Sequence, residues 1–130
     1  MLQVKTHIKQ SPINGIGLFA SEFIAKGTTT WKYTPEFDLA FSEDCLSRMT
    51  SWSKEQFLKY AYFDHSQKKY ILCFDDQRFI NHSYNPNIKS TPELDVALID
   101  INAGEELTCN YKDYEPDWFT RRNIEESTFK

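Results

Sequence analysis

The chain has 130 residues, 40% of them hydrophobic and 26% charged, which excludes a disordered chain and fits a single soluble domain with its own core. A formal net charge of -4 argues against nucleic acid as the main partner, because phosphate binding needs a clustered positive surface, and favours a basic partner instead. The three cysteines, Cys45, Cys73 and Cys109, form no C-x-x-C pair, so they read as reduced, buried thiols.

Residues 2–9 alternate apolar and polar, the pattern of a half-buried strand with His7 on its solvated face. Residues 11–17 form a turn around Gly15-Ile16-Gly17, residues 18–20 a short strand, residues 25–27 a turn and residues 28–33 a strand rich in β-branched and aromatic side chains. Ser42, followed by Glu43 and Asp44, starts a helix whose apolar side is Cys45, Leu46 and Met49. Ser53 and Gln56 resemble a capping box ahead of Phe57, Tyr60 and Ala61 at helical spacing. Residues 69–74 read as a strand, 75–87 as a polar loop, 96–101 as a strand, 102–104 as a tight turn and 106–111 as the returning strand.

The expected class is mainly β with short helices, not a βαβ fold. Gly15-Ile16-Gly17 therefore does not read as a dinucleotide signature: Ala20 stands where the third glycine is needed, and no long helix follows. No apolar run approaches the roughly 18 residues of a membrane span, and the N-terminus lacks a signal-peptide layout, so a cytoplasmic or nuclear protein with no membrane partner is expected.

Two stretches carry the chemistry. Residues 78–87 crowd Asn81, His82, Ser83, Asn85 and Asn87 around Pro86, more hydrogen-bonding side chains than a turn requires. Residues 105–111 read as a short strand ending on Tyr111. Taken singly, the asparagines read as turn caps and His82 as a structural histidine; their joint spacing points to something held.

Together, G-I-G-L-F-A at residues 15–20, R-F-I-N-H-S-Y-N-P-N at 78–87 and G-E-E-L-T-C-N-Y at 104–111 resemble, in order and spacing, the SET-domain protein lysine methyltransferases. The resemblance covers residues 5–114, followed by an aromatic and charged tail over 115–130. It implies a β-clip fold with a threaded, pseudoknot-like C-terminal segment. It also implies S-adenosyl-L-methionine on one face of the domain and a substrate lysine entering by a narrow channel from the other. By motif, the backbone of Gly15, Ile16 and Gly17 would cradle the cofactor, with Tyr33, Arg78, Phe79, Asn81, His82 and Trp118 as further contacts. Tyr111 matches the tyrosine of the transfer site. Tyr62 would line the lysine channel, with Tyr60 as the alternative alignment, together with Cys109 and Tyr114. Tyr84 stands where many members carry a zinc-binding cysteine, and no cysteine follows Cys109, so no metal is expected. Tyr114, Trp118 and Phe119 would close the site, although Trp118 and Phe119 could equally pack a tail onto the core. Arg121 and Arg122 read as a solvated tail.

Methyl transfer to lysine is an in-line displacement, and only the neutral amine can attack. Presenting a free lysine of pKa about 10.4 in neutral form at pH 7 costs about 4.6 kcal/mol. A dry aromatic channel and a nearby positive sulfonium both reduce that cost. Tyr111, with an ordinary pKa of about 10, is a poor base and is assigned positioning of the amine. Strand alternation puts Leu107, Cys109 and Tyr111 on one face, so Cys109, smaller than the Phe or Tyr often found there, leaves room for di- or trimethylation. The expected partner is a lysine-bearing protein, a histone tail or another basic segment, and a homodimer would complete its groove. The competing reading is a catalytically silent SET-like module that binds a peptide or protein; the joint presence of Asn81, His82 and Tyr111 favours the enzyme.

Overall fold

The alternating N-terminal segment forms its strand later than its pattern suggests. β1 (Thr6–Gln10) pairs antiparallel with β2 (Ile16–Ala20), Thr6 opposite Ala20 and Gln10 opposite Ile16. The computed structural model describes residues 1–128. β1 is an exposed edge, whereas Gly17 through Ala20 are buried because residues 105–107 cover the other side of β2. There the Ala20 N–H donates to the Glu105 carbonyl at 2.9 Å and the Leu107 N–H to the Leu18 carbonyl at 2.8 Å. Leu2 and Val4, ahead of β1, pack on the core. His7 is exposed and meets the Ser21 hydroxyl at 2.7 Å.

Eight further strands follow: β3 (Thr29–Lys32), β4 (Leu39–Ser42), β5 (Tyr62–Asp64), β6 (Lys69–Leu72), β7 (Asn81–His82), β8 (Ile88–Ser90), β9 (Leu94–Ala97) and β10 (Thr108–Cys109). β4, β6 and β5 make one antiparallel sheet. Between β4 and β5 run a 3-10 segment (Glu43–Arg48) and helix α1 (Ser51–Tyr60). The cap of α1 is Thr50, whose hydroxyl accepts the Ser53 N–H at 3.2 Å, and not Ser53; the helix starts before the expected capping box. Phe57 anchors α1 on the sheet through edge contacts with Phe41 and Tyr70, at 5.5 and 5.6 Å between ring centroids.

The remaining sheet has the order β3-β9-β8-β10-β7. The expected return of residues 106–111 onto 96–101 does not occur. β9 pairs with β3 and β8, while β10 inserts between β7 and β8, parallel to both. Parallel neighbours need a long connection. Here the chain leaves β7, builds β8 and β9, and comes back beneath the loop of residues 83–87 that it has already made. Such threading is rare among folds. The main core gathers Leu18, Ile24, Ile88, Ile101, Leu107 and Cys109 and runs directly into Tyr111, Trp118 and Phe119. None of the helices among the described residues is long and apolar enough to cross a membrane.

After a 3-10 turn (Tyr111–Asp113), helix α2 (Trp118–Arg122) ends on Asn123 in the left-handed conformation, φ 54°. Arg121 and Arg122 are not a solvated tail. The Arg122 side chain is 2% exposed, and its guanidinium donates to both oxygens of the fully buried Glu115 at 2.8 and 3.2 Å. It also donates to the carbonyls of Leu58 at 2.6 Å, Ala61 at 2.8 Å and Trp118 at 3.0 Å. Glu115 in turn accepts the Phe63 N–H at 3.0 Å, tying the tail to β5. Arg121 lies over the Phe63 ring, 3.9 Å from its centroid, and pairs with Glu43 and Asp117. Composition shows two cations near a chain end; only the fold brings the buried acid to them. Arg122→Ala leaves the buried Glu115 with only the more distant Arg121, at 3.6 Å, and is expected to cost about 3 kcal/mol, whereas Glu115→Gln with Arg122→Met recovers most of that loss. Denaturant unfolding of the single and double variants measures both.

Candidate active site

The polar loop first serves the threaded strand. Asn87 acts as a surrogate peptide: its Nδ2 donates to the Glu106 carbonyl at 2.8 Å, and its Oδ1 accepts the Thr108 N–H at 2.9 Å. The Ser83 N–H donates to the Cys109 carbonyl at 2.9 Å, and the Tyr111 N–H donates to Nδ1 of His82 at 3.1 Å. A ring nitrogen that accepts carries no proton, so the proton of the neutral His82 ring sits on Nε2. His82 is fully buried among aromatic rings, with Tyr84, Phe119 and Tyr111 at 4.5, 5.1 and 5.2 Å between centroids. Burial pushes its pKa below the usual 6.5. Tyr84, at the position where a zinc ligand could have stood, covers His82 with its ring and hydrogen-bonds Glu126 through its hydroxyl.

A second anchor is the Glu106 carboxylate. The Ser11 hydroxyl donates to it at 2.8 and 2.9 Å, and Asn81 Nδ2 donates to Oε2 at 2.9 Å while also reaching the Asn14 carbonyl at 3.1 Å. This cluster fixes the turn before β2 against the strand end at β7. It also explains Gly17: a Cβ there would come within 2.9 Å of the Glu106 carboxyl carbon. The close approach that requires glycine at 17 is thus made by the protein's own carboxylate. Gly15 is needed for its backbone, at φ 48°, and its missing side chain faces open space.

Two cavities meet at Tyr111. The larger, of about 440 Å³, is bounded by Asn14, Ile16, Arg78, Phe79, Asn81 and Trp118, with Tyr111 at one end. The smaller, of about 40 Å³, is walled by Tyr60, Tyr62, Cys109, Tyr111, Tyr114 and Asp95. Tyr111 and Trp118, 4.6 Å apart between ring centroids, line both. The Tyr111 hydroxyl donates to the Ile80 carbonyl at 2.6 Å, which fixes its orientation. The Tyr62 hydroxyl donates to the Pro92 carbonyl at 2.7 Å, and the Tyr62 ring stands edge-on to Tyr114, 5.3 Å between centroids. Burial raises the pKa values of Tyr62, Tyr111, Tyr114 and Cys109 far above their ordinary ranges, so all four are neutral at physiological pH. Asp95, 2% exposed, is held by burial at a pKa of about 7, against hydrogen bonds from Ser90 and Gln77 that lower it.

A sequence model described as SET domain matches residues 15–112. The chain belongs to the SET-domain family. Its likeness to solved SET-containing chains is of the same kind. An apo form of the Chaetomium thermophilum polycomb repressive complex 2, with two mutations in Ezh2, superposes with a TM-score of 0.69 at 27% identity, over 92% of this chain and 16% of that one. The complex bound to S-adenosylmethionine in an autoinhibited conformation gives 0.64 at 27% identity, over 91% and 16%. The complex with trimethyl-lysine and lysine-to-methionine forms of histone H3 gives 0.62 at 27% identity, over 83% and 14%. This SET domain therefore spans about one sixth of the length of those chains. Comparison with curated proteins finds no significant match.

The larger cavity fits S-adenosylmethionine by its chemistry. Its volume of about 440 Å³ suits a ligand of that size, aromatic faces are present in Trp52, Tyr60, Phe79 and Trp118, and charges of both signs, Glu55, Lys59 and Arg78, suit a zwitterionic amino acid. Of the residues expected around the cofactor, Ile16, Arg78, Phe79, Asn81 and Trp118 line this cavity. Gly15, Gly17 and His82 line neither cavity and stand behind the wall, holding it. Tyr33 is also absent from both and packs against the cluster of Trp31, Tyr62, Ile71 and Cys73. Tyr60 and Tyr62 both line the smaller cavity, so the two alignments are not exclusive. Phe119 is core and supports His82; Trp118 serves core and site together. Sequence reasoning missed Asp95, which falls one residue before the expected strand start at 96; an acid inside the run L-D-V-A-L was the available signal. It also missed Glu115 and Arg122.

The neutral ring of His82 can be tested. The unfolded chain takes up a proton near pH 6.5 and the native ring only below that, so its contribution to stability is complete above 6.5. That contribution falls as the pH drops through 6.5, and levels off once the native ring is protonated. His82→Asn keeps an acceptor for the Tyr111 N–H without titrating. The stability advantage of wild type over this variant should shrink between pH 8 and pH 5 in denaturant unfolding; a constant difference would contradict a neutral ring.

Proposed function

We propose that this SET domain transfers methyl groups from S-adenosyl-L-methionine to the side-chain amine of a lysine in a protein substrate. The observation that carries this reading is Tyr111 as the shared wall of a ligand-sized cavity and a narrow aromatic one. Bound in the larger cavity, S-adenosylmethionine would supply an electrophilic methyl group on a positive sulfonium.

The chain's own residues do the rest. Asn81, by holding the Asn14 carbonyl and Glu106, shapes the floor of the larger cavity. Tyr60, Tyr62 and Tyr114 exclude water from the smaller one and disfavour an ammonium there. The Tyr111 hydroxyl has its proton engaged by the Ile80 carbonyl, so its oxygen meets the amine as an acceptor and aligns nitrogen with the methyl group. Cys109, fully buried beside Tyr111, leaves space that an aromatic residue would fill, which supports more than one methylation per lysine. The net charge of -4 suits a basic, lysine-rich segment, and the histone H3 complexes of a structural neighbour support a histone tail as the first substrate to try.

The test is labelled-methyl transfer to histone H3 and to cell protein extracts, with mass spectrometry of the products. Tyr111→Phe should keep cofactor binding and lose about a hundredfold in kcat. Cofactor binding without transfer to any protein would instead identify a binding module, and products limited to monomethyl-lysine would rule out the role given to Cys109.

A further inference from the structure

Four acidic side chains among the described residues are buried: Asp38, Asp64, Asp95 and Glu115. Burial of a carboxylate is costly unless a cation or several donors compensate it. Asp38 has the N-terminal ammonium at 3.4 Å and the Thr34 N–H at 2.8 Å, and Glu115 has Arg122 at 2.8 Å. Asp64 caps its own turn, accepting from Ser66 N at 2.9 Å, Ser66 Oγ at 2.7 Å and Gln67 Nε2 at 2.8 Å. Asp95 differs from all three. Gln77 Nε2 donates to its Oδ2 at 2.6 Å and the Ser90 hydroxyl assists, yet no cationic side chain among the described residues pairs with it, and it lines the smaller cavity.

That cavity is only about 40 Å³, room for a group little larger than water, and Asp95 is among the residues that line it. The other titratable groups facing it are the phenol of Tyr60 at the end of α1, and Cys73 on the segment after β6, Cys109 on β10, Tyr62, Tyr111 and Tyr114, these last five kept neutral by burial. Lys59 and Arg78, exposed and half-buried, complete the lining with like charge to an incoming lysine. A carboxylate has about four acceptor positions, and the bonds from Gln77 and Ser90 leave some for a ligand. The wall thus contains one buried carboxyl group with no ion-pair partner among the described residues, in the cavity that a substrate lysine would enter.

We propose that Asp95 is the proton acceptor for the substrate amine, an inference that rests on the lysine-methylation reading of the same site. The carboxylate pairs with the entering ammonium and takes one proton from nitrogen, giving a carboxylic acid and a neutral amine. The amine lone pair then forms the new N–C bond as the S–C bond breaks, and its electrons return to sulfur. The methylated nitrogen carries the positive charge away, and Asp95 releases its proton to water before the next transfer. A group titrating at about pH 7 is matched to that cycle.

The experiment compares the full chain with Asp95→Asn, using a histone H3 tail peptide and the same peptide with norleucine for its lysines. With S-adenosylmethionine present, wild-type kcat should rise through an apparent pKa close to 7 and be level above pH 8. Asp95→Asn should be at least about tenfold slower at pH 7.5 and climb steadily to pH 9.5, where solvent supplies the neutral amine. Without cofactor, at pH 8, wild type should prefer the lysine peptide to the norleucine peptide and the variant should not. An active wild type whose rate, profile and lysine preference survive the substitution overturns the role of Asp95 and leaves methyl transfer standing. A wild type that transfers nothing to the peptide or to cell extracts overturns both. If Asp95→Asn does not fold, wild type alone decides: a kcat still climbing tenfold per pH unit above pH 8, or a lysine preference undiminished from pH 8 to pH 6, overturns the proposal.

Discussion

Everything in the site depends on one strand being held beneath a loop that precedes it. Residues 106–111 pass between β7 and β8, and the loop, by side chains and by the Ser83 backbone, supplies hydrogen bonds that a two-residue strand cannot make for itself. Asn87 binds the strand on both sides of Leu107, Ser83 takes the Cys109 carbonyl, and His82 receives the Tyr111 N–H. β10 alone is too short to define a register. The side-chain amide and imidazole define it, and with it the position of the Tyr111 hydroxyl. The later part of the motif, His82, Ser83 and Asn87, clamps the protein's own backbone, while its first part, Arg78, Phe79 and Asn81, lines the larger cavity.

The second organising fact is that the core and the site are continuous. Leu107, Cys109, Tyr111 and Trp118 belong to the same buried cluster as Leu18 and Ile88, so the wall that the two cavities share is part of the packed core. Burial keeps the phenols and thiols there uncharged, which concentrates electrostatic responsibility in very few groups. The Glu115–Arg122 pair lies just behind, and by accepting the Phe63 N–H it couples the tail to the strand that carries Tyr62. Closure at the C-terminal end is thereby achieved by a buried ion pair together with aromatic packing.

Much of this was legible in the sequence, for reasons that can be separated. β2, β3 and β6 carry β-branched or aromatic runs, and local pattern was enough to find them. Cys109 and Tyr111 are both buried in one cluster, but the expected strand over 106–111 is cut to Thr108–Cys109, with Tyr111 starting a 3-10 turn and Thr108 buried as well. The threading was not legible, because alternation reports which residues face inward and not which strand lies beside which. Turn chemistry at 102–104 suggested a return onto the preceding strand, and long-range pairing with β2 and β7 won instead. The environment of Arg122 depends on an acid brought to it by tertiary structure. Gly17 was expected to allow a close approach of the backbone to a ligand, and the close approach that the structure shows is to Glu106; the two leave the same trace in a sequence.

The threaded order also sets a sequence of events in time. Tyr111 lies about thirty residues beyond Asn81, and neither cavity has its shared wall until the chain between them has folded into β8 and β9 and the following segment has passed underneath. During synthesis the first eighty residues can lay down β1, β2, β4, β5, β6 and α1, whereas β3 waits for its partner β9, and the wall that the two cavities share at Tyr111 and Trp118 is added last. The shared wall of the two cavities thus depends on non-local strand pairing, which forms more slowly than local contacts. A ligand that spans both cavities can fasten only to molecules that have completed that passage.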